Sequence, residues 1–121
     1  MVRALFDTNI LIDYLNGHWQ ARDELALYRD CAISIITWME VMIGVTPHTE
    51  AATRAFLSSF TVLALDERIA ERAVEVRQRL RVKLPDAIIK ATAEVEGRLL
   101  VTRNIKDFTE SEPGVRLPYR L

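Results

Sequence analysis

Four carboxylates and one amide occupy suggestive places in this sequence. Asp7 closes the mostly apolar run VRALF, Glu40 interrupts the apolar TWMEVMI, and Asp86 follows Pro85 in KLPDAIIKATA. Asn104 and Asp107 follow RLLVT. If folding gathers these groups, their mutual repulsion raises some of their pKa values or destabilises the fold. A bound divalent cation relieves that repulsion by becoming the dominant local charge. Carboxylates, an amide and water, with neither His nor Cys among them, suit a hard ion, Mg²⁺ or Mn²⁺. Mg²⁺ keeps several waters and takes one or two carboxylates directly, so the outer acids would hold waters. Each acid also has a plainer reading. Asp7 suits the N-cap of a helix starting at Thr8, Glu40 the surface of an amphipathic helix, and Asp86 a first turn favoured by the helix dipole. Asp107, before Phe108, is by itself only a loop acid. The combination says more than its members.

Such groups need a scaffold, and the apolar patterning predicts one. Residues 2–6, 31–36 (CAISII), 61–65 (TVLAL) and 98–102 (RLLVT) read as strands, and 114–121 as a last extended piece. Helical spacing covers TNILIDYLNG and, less regularly, 19–29. It resumes in TWMEVMIGV, with Thr37 available as N-cap, and in TEAATRAFLSSF. Asp66 is a good N-cap for a helix through Leu80, and a further helix over 84–96 ends at Gly97. Strands alternate with helices, and the strands are continuous apolar runs. That pattern predicts an α/β fold with a central, mostly parallel sheet covered by helices on both faces. In such sheets ligands bind outside the carboxyl ends of the strands. Asp7, Glu40, Asn104 and Asp107 then face one rim, and Asp86 joins them if its helix starts there. No repeat or linker interrupts the pattern, so one domain over residues 1–121 is expected.

Composition narrows the function classes. The chain has 121 residues, 50% hydrophobic and 27% charged, a balance suited to a globular protein with a real core. The single Cys31 excludes an internal disulfide and a cysteine-based zinc site, and is expected to be a small buried hydrophobe. No apolar run reaches the roughly 18–20 residues of a membrane span, and MVRALFDTN lacks the features of an export signal. A cytoplasmic protein is expected. The net charge of −1 advertises no nucleic-acid binding, but Arg77, Arg79, Arg81 and Lys83 crowd one stretch. This strip is either a solvated helix face or a local phosphate site. Trp38, beside Met39 and Val41, is expected in the core rather than stacked on a base. His18 and His48 fall in surface loops without a catalytic role. Asp13 either supports the site or lies on a helix surface.

Taken together, ALFDTNILIDYL, ISIITWMEV, KLPDAIIKATAEVEGRLLVTRNIKDF and the closing GVRLPYRL resemble the PIN-domain ribonucleases. More narrowly, they resemble the VapC-type toxins of type II toxin–antitoxin pairs. The resemblance runs in order over nearly the whole chain. It implies a three-layer α/β/α fold and endonucleolytic cleavage of RNA at an acidic Mg²⁺ or Mn²⁺ site. It also implies a homodimer and a small cognate antitoxin whose tail covers that site. Carried over, the family's acids are Asp7, Glu40 and Asp86. Where many relatives have an aspartate after a T-x pair, this chain has Asn104, with Asp107 three residues on; an amide brings no charge, so Asp107 is expected to supply it. In this reading Asp7 and Asp86 hold the ion, Glu40 orients water or shares the ion, and Thr8 and Ser34 hydrogen-bond nearby. Arg79, Arg81 and Lys83 hold flanking phosphates. Competing folds fit less well. A phosphatase of the haloacid dehalogenase type wants an aspartate where Asn9 stands, and a dinucleotide-binding fold wants glycines that FDTNIL lacks. A response-regulator receiver needs an early acidic pair, a phosphoacceptor and a late lysine in order, which are missing. The non-enzymatic alternative is a catalytically silent PIN-fold protein that binds a partner or RNA without cutting.

Overall fold

Leu5 and Phe6 show how the first strand is used, since consecutive strand residues point to opposite faces. Both are fully buried, so the strand lies between two covering layers. In a computed structural model describing residues 1–121, the order of elements is β1 (Arg3–Phe6), α1 (Thr8–Leu15), α2 (Trp19–Leu25), β2 (Asp30–Ser34), α3 (Ile35–Ile43) and α4 (Glu50–Leu57). There follow β3 (Thr61–Leu63), α5 (Glu67–Leu80), α6 (Leu84–Val95), β4 (Leu99–Val101) and β5 (Val115–Arg116). The strands form one sheet in the order β3-β2-β1-β4-β5. Every pairing is parallel, as continuous apolar strands require.

On one face Ala4, Phe6, Ile33 and Val101 pack against Ile10 and Leu11 of α1, Ala21 of α2, Val41 of α3 and Leu57 of α4. On the other, Leu5, Ala32 and Leu100 meet Ile89 and Ala93 of α6. Helix α5 packs behind α6 through Ile69, Ala73 and Val76. The result is the expected three-layer α/β/α arrangement.

Several boundaries differ from the sequence expectation, the strand over 61–65 among them, which ends at Leu63. The apolar run 31–36 leaves the sheet at Ser34, whose hydroxyl accepts from the Ile36 amide at 3.0 Å and caps α3. Thr37, expected as the cap, is instead a fully buried residue inside that helix. The second helix stops at Leu25 instead of reaching 29. Asp66 caps α5 as anticipated, accepting from the Ile69 amide at 2.9 Å. Cys31 is half-buried, its thiol 3.4 Å from the Tyr28 carbonyl. Trp38 is also half-buried, with the Arg54 guanidinium over its ring at 5.7 Å.

Candidate active site

Asp7 is the last extended residue after β1. It caps α1 by accepting from the Thr8 amide at 2.7 Å, so its plain reading as an N-cap is correct. Yet it is 4% exposed, far more buried than a cap needs to be. Its other oxygen accepts from the Thr102 hydroxyl at 2.7 Å and from the Asn9 amide at 3.3 Å. Burial pushes the Asp7 carboxyl above the usual carboxylate range. The hydrogen bonds from Thr102 and Thr8 oppose that rise, and the charges of Glu40 and Asp107 add to it.

Glu40 lies on α3 at the exposed rim, where the Thr8 hydroxyl donates to it at 2.6 Å. That hydroxyl also lies 3.0 Å from the Thr37 hydroxyl, so Thr8 ties α3 to the start of α1. Ser34 is buried and spends its side chain on capping α3.

Asp86 stands in the first turn of α6, where Pro85 occupies an early helical position suited to its missing N–H. Its carboxyl is pushed up to about 6, first by burial, then by the charges of Asp7 and Asp107, a hydrogen bond with Asp107 and the charge of Glu40. The four acids therefore sense one another across the carboxyl ends of β1, β2 and β4. Asn104 and Asp107 close that rim. The Asn104 side chain donates to Asp107 at 2.8 Å, and the Asp107 amide returns a bond to Asn104 at 3.2 Å. Asn104 thus braces Asp107, which brings the charge.

No three Asp, Glu, His or Cys side chains stand in a ready-made metal cage. Glu40 is held by Thr8, and burial and its acidic neighbours keep the Asp86 carboxyl protonated to a higher pH than usual. This is how crowded acids settle without a counter-charge. Such a donor set, all oxygen and anionic, fits Mg²⁺ or Mn²⁺, which binds through few direct carboxylates and several waters.

The basic strip does not act as one unit. Arg79 pairs with Glu112 at 2.8 Å and approaches Glu94 at 3.7 Å, so its charge is already matched. Arg77 donates to the Val82 carbonyl at 3.1 Å. Arg81 and Lys83 carry no ion pair and lie between α5 and α6, just before Asp86; Arg81 adopts the left-handed conformation that ends α5. His18 and His48 are both exposed, and His48 lines the groove that Glu40 also borders.

Sequence reasoning passed over Asn9 and Thr102, the two residues that hold Asp7. Asn9 is signalled only by its place two residues after Asp7, and Thr102 by a hydroxyl at the end of an apolar strand. Beside the acids, α1, α3 and residues 44–53 line a groove of about 510 Å³, with Glu40 on its wall and Ile12, Leu15 and Val45 among its apolar lining.

Comparison with known proteins agrees with this geometry. Residues 4–110 match the model of the PIN domain family. Ribonuclease VapC10 of Mycobacterium tuberculosis is 34% identical over 112 residues, covering 86% of this chain and 84% of its own length. A toxin–antitoxin complex from Klebsiella pneumoniae contains a chain 50% identical to this one, with a TM-score of 0.93 over 98% of this chain and 99% of that one. In the DNA-bound VapBC of Salmonella typhimurium the corresponding values are 28% identity and a TM-score of 0.78, over 96% of each chain. An acid-lined rim on an all-parallel sheet, this family match and these relatives together show that the chain belongs to the PIN-domain family, as a ribonuclease of the VapC type.

Proposed function

We propose that this protein is the toxin of a toxin–antitoxin pair, a Mg²⁺- or Mn²⁺-dependent endoribonuclease that hydrolyses RNA phosphodiester bonds at the Asp7–Asp86 rim. The observation that carries the reading is the convergence of Asp7, Glu40, Asp86 and Asp107 from four separate stretches of chain, whose charges add to the upward shift that burial causes at Asp86. Asp7 and Asp86 are the direct ligands, with Glu40, Asn104 and Asp107 holding water. Bound there, the ion supplies a water of lowered pKa and a positive charge for the phosphate oxygens. The protein's own groups do the placing. Thr102 and Asn9 fix the Asp7 carboxylate, Thr8 aims Glu40 at the attacking water, and Asn104 steadies Asp107. Arg81 and Lys83, whose charges are unmatched, receive the phosphates flanking the scissile bond.

The groove beside Glu40 suits an apolar segment of the cognate antitoxin lying across the entrance, and the active form is a homodimer. No helix is long and apolar enough to cross a membrane, and the cytoplasm, where RNA and antitoxin meet, is the working compartment.

The decisive experiment maps new RNA ends after brief expression of the protein, with Asp7→Ala as the control. Metal-dependent ends should appear with the native chain and vanish with the variant, whose circular dichroism stays native. If Asp7→Ala and Asp86→Ala both cut undiminished, the site is wrong. Calorimetric titration with Mn²⁺ separates the enzyme from a silent interaction protein, which would show no binding.

A further inference from the structure

A buried carboxylate outside the four acids has no part in the scheme above. Asp13, on α1 and 3% exposed, accepts both arms of the Arg103 guanidinium, at 2.7 and 2.8 Å. It also accepts from the Tyr119 hydroxyl at 2.8 Å. Burial and the bond to Asp13 push the Tyr119 hydroxyl up, so it remains a donor throughout neutral pH. Such a fork fixes direction as well as distance, and a buried ion so fully bonded has one geometry.

What the fork fixes is the turn after β4. The backbone amide of Arg103 donates to Asn9 at 3.1 Å, and Asn9 in turn donates to Asp7 and, at 3.3 Å, to Thr102. The next amide, that of Asn104, donates to the Thr102 hydroxyl at 3.0 Å. This hydroxyl is the group that donates to Asp7. Asn104 then braces Asp107. Residues 102–104 are therefore a frame from which Asp7 hangs on one side and Asp107 on the other, and the Arg103 side chain anchors it from behind.

We infer that Asp13, Arg103 and Tyr119 are positioning residues for the acidic site: the Asp13 carboxylate, clamped by Arg103 and Tyr119, sets the Thr102–Asn104 turn and thereby the separation of Asp7 from Asp107. The inference rests on the nuclease reading and deepens it, because it makes the segment ending at Tyr119 part of the active-site support. The groups that hold ligands in place in other metal sites matter for affinity by about 10–100-fold.

The molecule supplies its own control. Glu24, also buried, accepts both arms of Arg116 at 2.7 and 3.0 Å and the Tyr28 hydroxyl at 2.8 Å. This clamp has the same chemistry but meets residues 102–104 only through the backbone, where the Thr102 amide donates to the Arg116 carbonyl at 3.0 Å; none of its side chains bonds to them. Asp13→Asn, Tyr119→Phe and Glu24→Gln are compared in the full chain by amide hydrogen exchange, Mn²⁺ titration and steady-state cleavage of RNA. In Asp13→Asn the Arg103 and Asn104 amides should exchange about tenfold faster, and Mn²⁺ affinity should fall about tenfold or more. There kcat should fall while KM holds. Tyr119→Phe, which loses one of the three bonds to Asp13, should show the same changes at a smaller size and serves where Asp13→Asn does not fold. Glu24→Gln should lose stability yet keep exchange at 103–104, Mn²⁺ affinity and kcat. Unchanged exchange and affinity in both Asp13→Asn and Tyr119→Phe would overturn the inference, as would equal loss of affinity in Glu24→Gln. Exchange needs neither ion nor RNA, so it decides the clamp even if native protein binds no Mn²⁺, a result that would defeat the nuclease reading instead.

Discussion

Asp86 is partly buried and faces the carboxylates of Asp7, Asp107 and Glu40. Burial and these charges push the Asp86 carboxyl up to about 6. Because that value lies above the ordinary range near 4, ionising Asp86 opposes folding of the metal-free protein. The favourable contribution is complete below about pH 4 and is lost as the pH rises through about 6. Scanning calorimetry should accordingly show a larger gain in Tm on adding Mg²⁺ at pH 8 than at pH 5, and equal gains would contradict the site. Thr102 offers a second test at this scale. Thr102→Val keeps the shape but removes a bond to a buried carboxylate, costing about 2 kcal/mol in urea unfolding and weakening Mn²⁺ binding. The acids were legible from residue type and spacing because only carboxylates and amides offer hard oxygen ligands. Thr102 and Asn9 were not, since a hydroxyl or an amide has many other uses and only the folded geometry shows which one it serves.

Helix α6 brings one acid to the rim and also carries Lys90, a charge buried at 2% exposure beneath residues 112–113. Lys90 pairs with Glu94 one turn on, and it donates to the Pro113 carbonyl at 3.2 Å. Arg72 and Arg79 complete the cluster on Glu94 and Glu112. Removing the central, buried charge leaves Glu94 and Glu112 to Arg72 and Arg79 alone, at the cluster's exposed edge, so Lys90→Met should cost about 3 kcal/mol. Lys90→Met/Glu112→Gln should recover part of that loss, as chemical denaturation can measure. Helix existence and order were readable from the 3.6-residue periodicity. The start of α3 was not, because Ile35 and Ile36 are equally apolar in a strand or a helix, and the choice is made by the Ser34 cap. Ser34→Ala should cost about 1 kcal/mol, and the same comparison of unfolding free energies would expose a cap misplaced at Thr37. The basic strip was half legible. A run of Arg and Lys is visible in the sequence, but the distant acid that neutralises Arg79 is not.

Over the whole molecule, the parallel order follows from apolar strands alternating with helices, and it delivers the acids to one edge. The segment after β4 is held to the rest by charges no local pattern reveals: Arg103 to α1, Arg116 to α2, and the Pro113 carbonyl and Glu112 to α6. These ties join the last strand to both helical layers, so the chain should unfold as one unit, with calorimetric and van't Hoff enthalpies equal. A separate early transition would contradict a single domain over residues 1–121. The sheet itself has one more consequence. Its outermost members, β3 and β5, are three and two residues long, too short to template an incoming strand. Any second polypeptide joining this molecule, whether its own twin or a regulator, must settle against helices, leaving the hydrogen-bonding ladder sealed within one chain.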